Sequence, residues 1–115
     1  MKPVMNHKII EVCGLDREIL KDFNSIIPSI QKLILKTDLK VLKIESHNFS
    51  PQGVTALFIL SSSHLAVHTW PEYGYLHIDF LTCSPTLENL ELKRAVMEIW
   101  GLPQENIEVR EVKYG

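Results

Sequence analysis

A chain of 115 residues with 45% hydrophobic and 23% charged side chains is one globular domain with a core of limited size. Its net charge of −2 excludes the basic field that nucleic-acid binding uses. No apolar run is long enough to span a bilayer, no secretory or lipidation signal is evident, and two distant cysteines make no disulfide framework, so a cytoplasmic protein without membrane or nucleic-acid partners is expected.

Residues 8–12 read as a first strand, which Gly14 ends. Cys13 is expected to be buried and inert. Asp16 fits a helix N-cap, with Glu18 favourable in the first turn. Ile19, Phe23, Ile26, Ile27, Ile30, Leu33 and Ile34 then recur at helical spacing, so one face of this helix packs on a sheet. Pro28 lies within it. Proline donates no hydrogen bond and its ring crowds the carbonyl of Asn24, so a kink or break is expected there. Residues 40–47 form a second strand, residues 49–53 a loop marked by Pro and Gly, and residues 54–61 a third strand. The third strand is apolar on both faces, as a covered central strand would be.

Residues 61–83 hold most of the chemistry-bearing side chains. Ser62, His64, Ala66, His68 and Trp70 alternate with Leu65, Val67 and Thr69, which is the period of a strand. Pro71-Glu72-Tyr73-Gly74 reads as a turn, with Gly74 free to take positive φ. In the strand that follows, Leu76, Ile78, Phe80 and Thr82 share one face, and Tyr75, His77, Asp79 and Cys83 the other. If Trp70 and Tyr75 close the turn, His68 faces His77 and Ser62 faces Cys83; a slip of one residue would set Ser63 there instead. The hairpin alone therefore carries a thiol to the serine run.

Ser84 is expected to cap a second helix, with Pro85 at its first position. Leu92, Ala95, Val96, Ile99 and Trp100 form its apolar face, and Gly101 and Pro103 end it. Residues 107–112 are the last strand. This order predicts an α+β fold: an antiparallel sheet with two helices packed on one face, a two-layer sandwich. The other face would carry His64, His68, Trp70, His77, Asp79 and Cys83 without cover, which calls for a partner surface.

A metal is not expected. His64 and His68 are four apart, but on a strand that spacing does not converge two imidazoles on one ion. Hydrogen-bonded histidines at an interface are the favoured reading of His64 and His77. Nor does a Ser/His pair without a Gly-x-Ser-x-Gly elbow indicate a hydrolase.

The string S-H-L-A-V-H-T-W-P-E-Y-G-Y (residues 63–75) followed by D-F-L-T-C (79–83) closely resembles the prokaryotic S-adenosylmethionine decarboxylases. The resemblance extends to H-N-F-S-P-Q-G-V-T (47–55) and, more weakly, to nearly the whole chain. These are small proenzymes that cut themselves and turn a serine into a pyruvoyl group. The family usually has Glu-Ser at the cut; here the pair is Ser62-Ser63.

The resemblance implies a division into residues 1–62 and 63–115, with the pyruvoyl group made from Ser63. It makes His68 the base of processing and sets Thr55 where the family has an assisting serine hydroxyl. Cys83 matches the proton donor of decarboxylation, Glu72 a carboxylate that binds the ribose hydroxyls, and Phe49 an aromatic that stacks on adenine. Trp70 is a pocket wall or an interface anchor. The pyruvoyl ketone would condense with the substrate amine and take up the electrons released with carbon dioxide. The product is the aminopropyl donor of spermidine synthesis. The resemblance also supplies a partner for the uncovered face, a second copy packed sheet against sheet. Ser63 and His68 are five apart on one strand and so point to opposite faces, which predicts a homodimer with shared active sites. Two rival readings stay open. One is a pyruvoyl decarboxylase of the same fold acting on a basic amino acid. The other is a homologue that never matures and only binds, to which Ser62 gives its sole support.

Overall fold

The computed structural model describes residues 4–83 and 87–114. The elements are β1 (Asn6–Val12), α1 (Arg17–Leu20), α2 (Phe23–Leu35), β2 (Val41–Asn48), β3 (Val54–Leu60), β4 (Ser63–Trp70), β5 (Tyr75–Thr82), α3 (Asn89–Trp100) and β6 (Ile107–Glu111). The strands form one sheet in the order β2-β3-β4-β5-β1-β6, with every neighbouring pair antiparallel. Alternate residues of β1, β3, β4 and β5 meet the helices in a single core, whereas the edge strand β2 is exposed along its whole length. Ile10, Val12, Val54, Phe58, Leu65, Val67, Ile78 and Phe80 come from the sheet, Ile26, Ile30 and Leu33 from α2, and Leu92 and Val96 from α3. The expected α+β sandwich is thus present, with one face of the sheet covered.

The first predicted helix is two helices. Asp16 caps α1 by accepting from the Glu18 N–H at 2.8 Å. Asp22 then caps α2 by accepting from the Ser25 N–H at 2.9 Å. The expected break at Pro28 does not occur: α2 runs through it without interruption. Pro28 and Asn24 both lie on the exposed side of α2, so water can reach the carbonyl that proline leaves unbonded. Ile26, Ile30, Leu33 and Ile34 hold the opposite side in the core. The chain breaks at Lys21 and Asp22 because a carboxylate there can start a new helix.

Two other expectations change. Cys13 is exposed rather than buried, because it follows Val12 on the side of the sheet away from the helices. The interior strand β3 is covered on one face only, leaving Leu57 and Ile59 each 49% exposed. The expected cap at Ser84 and Pro85 lies outside the described residues; α3 starts at Asn89 after Glu88, whose N–H donates to the Glu91 carboxylate at 3.2 Å. Among the described residues no helix is long and apolar enough to cross a membrane.

Replacing Pro28 by alanine restores a donor for the Asn24 carbonyl and relieves the ring contact. Thermal or urea unfolding should show a gain below the usual penalty of about 3 kcal/mol for an interior helical proline, because water already reaches the Asn24 carbonyl. Unchanged or lower stability would mean that α2 has relaxed around the ring.

Candidate active site

The β4–β5 hairpin has the register expected from its turn: Trp70 faces Tyr75, His68 faces His77 and Ser63 faces Thr82. Gly74 sets it. Its φ is +60°, and a Cβ there would lie 2.7 Å from the Leu15 carbonyl oxygen, too close for any side chain. Leu15 N–H in turn donates to the Gly74 carbonyl at 3.0 Å, which ties the turn to the loop before α1. With the register fixed, period two does the rest. Leu65, Val67 and Phe80 enter the core, while His64, His68, Trp70, His77 and Asp79 stay on the open face.

Five of the predicted site residues line one pocket of about 310 Å³: Phe49, Thr55, His68, Trp70 and Glu72. They come from three neighbouring segments. Phe49 follows β2, Thr55 lies on β3 directly opposite His68 on β4, and Glu72 sits in the single 3-10 turn after Trp70. The Phe49 N–H donates to the Gly53 carbonyl at 2.8 Å, closing the loop between β2 and β3. Phe49 leaves about half its surface, 51%, free for a ligand.

Thr55 Oγ1 and His68 Nδ1 are 3.1 Å apart, a hydrogen bond that orients the ring. The His68 pKa is held below the ordinary histidine value, first by burial and then by the His77 ring, 6.1 Å away; Asp79 acts in the opposite sense. A neutral imidazole at neutral pH is what a base requires. The Trp70 ring is 6.3 Å from His68 and 5.5 Å from Tyr75, so it forms one wall of the same pocket.

Ser62, Ser63 and Cys83 sit elsewhere. Ser61 and Ser62 are the two-residue turn between β3 and β4, flanked by the Leu60–Ser63 pair. Ser63 Oγ is buried without a hydrogen-bond partner, on the helix face beside the fully buried Thr82. Cys83 is opposite Ser62, and its N–H donates to the Ser62 carbonyl at 3.3 Å. Its thiol is free and exposed, and alternation along β5 assigns it to the open face. His68 lies five positions along the strand from Ser63, a span of about 16 Å. One chain therefore holds two groups at opposite ends of β4.

Two polar networks on the open face were not visible in the sequence. Asp79 pairs with His7 at 2.8 Å, and the other nitrogen of His7 meets the Tyr114 hydroxyl at 2.6 Å. Glu11 accepts from Tyr75 at 2.6 Å and also from Arg110. The Tyr75 pKa is pushed up to about 12, by burial first and then by its hydrogen bond to Glu11. Both networks depend on β1 lying between β5 and β6. Alternation along β1 puts His7 and Glu11 on one face, but nothing local names its neighbours. Among the described residues no group of three or more histidine, cysteine or acidic side chains is placed to hold a metal ion.

Comparisons with known proteins identify the family and the fold. Residues 6–114 match the family described as S-adenosylmethionine decarboxylase. The S-adenosylmethionine decarboxylase proenzyme of Pelotomaculum thermopropionicum is 41% identical over 72% of this chain and 66% of its own length. The proenzyme of the same description from Caldicellulosiruptor saccharolyticus is 34% identical over 100% of this chain and 91% of its own. The crystal structure of the adenosylmethionine decarboxylase from Aquifex aeolicus superposes with a TM-score of 0.80, covering 100% of this chain and 93% of that one; at 21% identity it attests the fold. With a match to nearly all its residues and full-length relatives above 30% identity, the chain belongs to the S-adenosylmethionine decarboxylase family.

Proposed function

We propose that this protein is a self-processing, pyruvoyl-dependent decarboxylase of S-adenosylmethionine, acting as a homodimer with shared active sites. The observation that carries the proposal is the split site. Phe49, Thr55, His68, Trp70 and Glu72 line one pocket. The Ser62–Ser63 bond and Cys83 are at the other end of the hairpin. Two copies paired open face to open face, in opposite strand directions, set the serine end of one against the pocket of the other.

The residues present fit the making of a pyruvoyl group. Ser63 Oγ has no partner to hold it, and the carbonyl carbon it attacks belongs to the preceding residue. The amide becomes an ester. Removal of the Cα proton of Ser63 then expels the Ser62 carboxylate, giving residues 1–62 and 63–115 as separate chains. The remaining dehydroalanine tautomerises, and water replaces its nitrogen, released as ammonia. Ser63 carries its Cβ on the helix face, so its Cα–H leans toward the open face. A His68 from the second copy would approach from that side, and its lowered pKa suits a base.

The pyruvoyl group, once formed, supplies the electron sink for decarboxylation. The chain supplies binding and proton transfer. Phe49 stacks on adenine, Glu72 accepts from the ribose hydroxyls, and Trp70 walls the pocket. Cys83, on the same hairpin as Ser63, delivers a proton to the carbon that loses carbon dioxide. A basic amino acid as substrate is disfavoured because it would leave Phe49 and Glu72 without work. A homologue that never matures is disfavoured by the unpartnered Ser63 hydroxyl.

Two outcomes follow. Ser63→Ala chains and His68→Ala chains should each fail to divide alone, yet mixed dimers should cleave in part, because one of their two sites keeps both groups. No cleavage in verified mixed dimers would confine each site to one chain. Cys83→Ala should divide normally but decarboxylate roughly 10²–10⁴ times more slowly, the usual worth of a positioned proton donor. Turnover at the parent rate would remove the thiol from the reaction.

A further inference from the structure

Self-cleavage places negative charge on one atom, and the fold has a donor already aimed at it. When Ser63 Oγ adds to the carbonyl carbon of Ser62, the π electrons move onto the carbonyl oxygen. In the folded chain that oxygen accepts from the backbone N–H of Cys83 at 3.3 Å. We infer that the Cys83 N–H is the oxyanion donor of self-cleavage, a catalytic task of the backbone separate from that of the thiol. The inference rests on the self-processing reading and deepens it.

Three features of the chain carry it. The bond lies beyond the paired strands, since β4 and β5 end at the Ser63–Thr82 pair. The contact runs one residue further, onto the turn, and reaches the carbonyl of the bond to be cut. The donor is also rigid: it follows Thr82, which is 0% exposed, at the end of a strand whose alternate residues are in the core. A donor fixed before the reaction needs no reorganisation when charge appears. Third, the length is right for a transition-state contact. A separation of 3.3 Å is long for a neutral carbonyl. As the carbon becomes tetrahedral, its bond to oxygen lengthens and the oxygen gains charge. Both changes draw it toward the shorter range of charge-assisted bonds. An interaction weak before the step and strong during it lowers the barrier.

The step balances without any oxidant or reductant. The bond from Ser63 Oγ to the Ser62 carbon forms, and the hydroxyl proton passes, by way of water or a base, to the amide nitrogen. The carbon–nitrogen bond breaks with its electron pair on nitrogen, and the oxyanion returns its electrons to re-form the carbonyl of the ester. The donor binds a main-chain oxygen, so it is indifferent to whether residue 62 is serine or the glutamate usual in the family.

The test removes one N–H and leaves every side chain in place. Translation with the α-hydroxy analogue of cysteine at position 83 turns the amide between Thr82 and residue 83 into an ester that keeps the thiol. Cleavage at the Ser62–Ser63 bond should slow about 10²–10³-fold, the usual loss of one oxyanion donor. The α-hydroxy analogue of leucine at position 81 removes an N–H from the same strand and should leave the rate within a few-fold of the unmodified chain. Cleavage is timed below the lowest melting temperature of the corresponding Ser63→Ala proteins, which cannot cut themselves and so report the fold alone. Equal slowing by the two esters, or none by the ester at 83, overturns the inference and leaves self-processing intact. An unmodified chain that does not cleave overturns both.

Discussion

The strict two-residue alternation of the β4–β5 hairpin governs this molecule. Its register is fixed at one end by Gly74, where a Cβ would strike the Leu15 carbonyl. From there every second residue of both strands is committed to the core, and Phe58, Phe80, Leu65 and Ile78 leave no room for a slip. A shift of one residue would bury His64, His68, His77 and Asp79 and expose the apolar set. The price of that commitment is distance: Ser63 and His68 share a strand yet lie at its two ends and on its two faces.

That separation makes sense of the open face. It bears Leu57, Ile59 and Trp70, each between 41% and 49% exposed, beside the histidines and the networks around Asp79 and Glu11. Such a surface combines apolar area with polar groups already paired within the chain. The His7–Asp79 and Glu11–Tyr75 contacts would leave few charges there to be desolvated unpaired if a second sheet covered them. A two-fold partner is the occupant that would also complete the proposed chemistry, because it would bring a pocket to each serine end. Under that proposal the same hairpin would serve twice, as a wall of one site and as the reactive end of the other.

The sequence made the hairpin, the six strands and the side of the sheet on which each hairpin residue falls legible, because period two, a Gly-ended turn and a long specific string all spoke at once. The clustering of Phe49 and Thr55 with His68 was not readable from spacing; it depends on β3 pairing with β4, and the resemblance alone pointed to those residues. Pro28 misled because the cost of one unbonded carbonyl is modest where water reaches it, and Asp22 offered a better place to break. Cys13 misled because cysteine is so often buried, whereas its position is set by the parity of β1. His7, Glu11 and Arg110 stayed hidden because which strands flank β1 is a property of the whole sheet. The Cys83 N–H has no side-chain signature at all.

Denaturing mass spectrometry of the purified full chain tests the central claim most directly. The account predicts two fragments that meet between Ser62 and Ser63, the second beginning with a ketone that reacts with a hydrazine and lacks a free amine. A single intact chain with an ordinary serine at position 63, persisting after prolonged incubation, would contradict it.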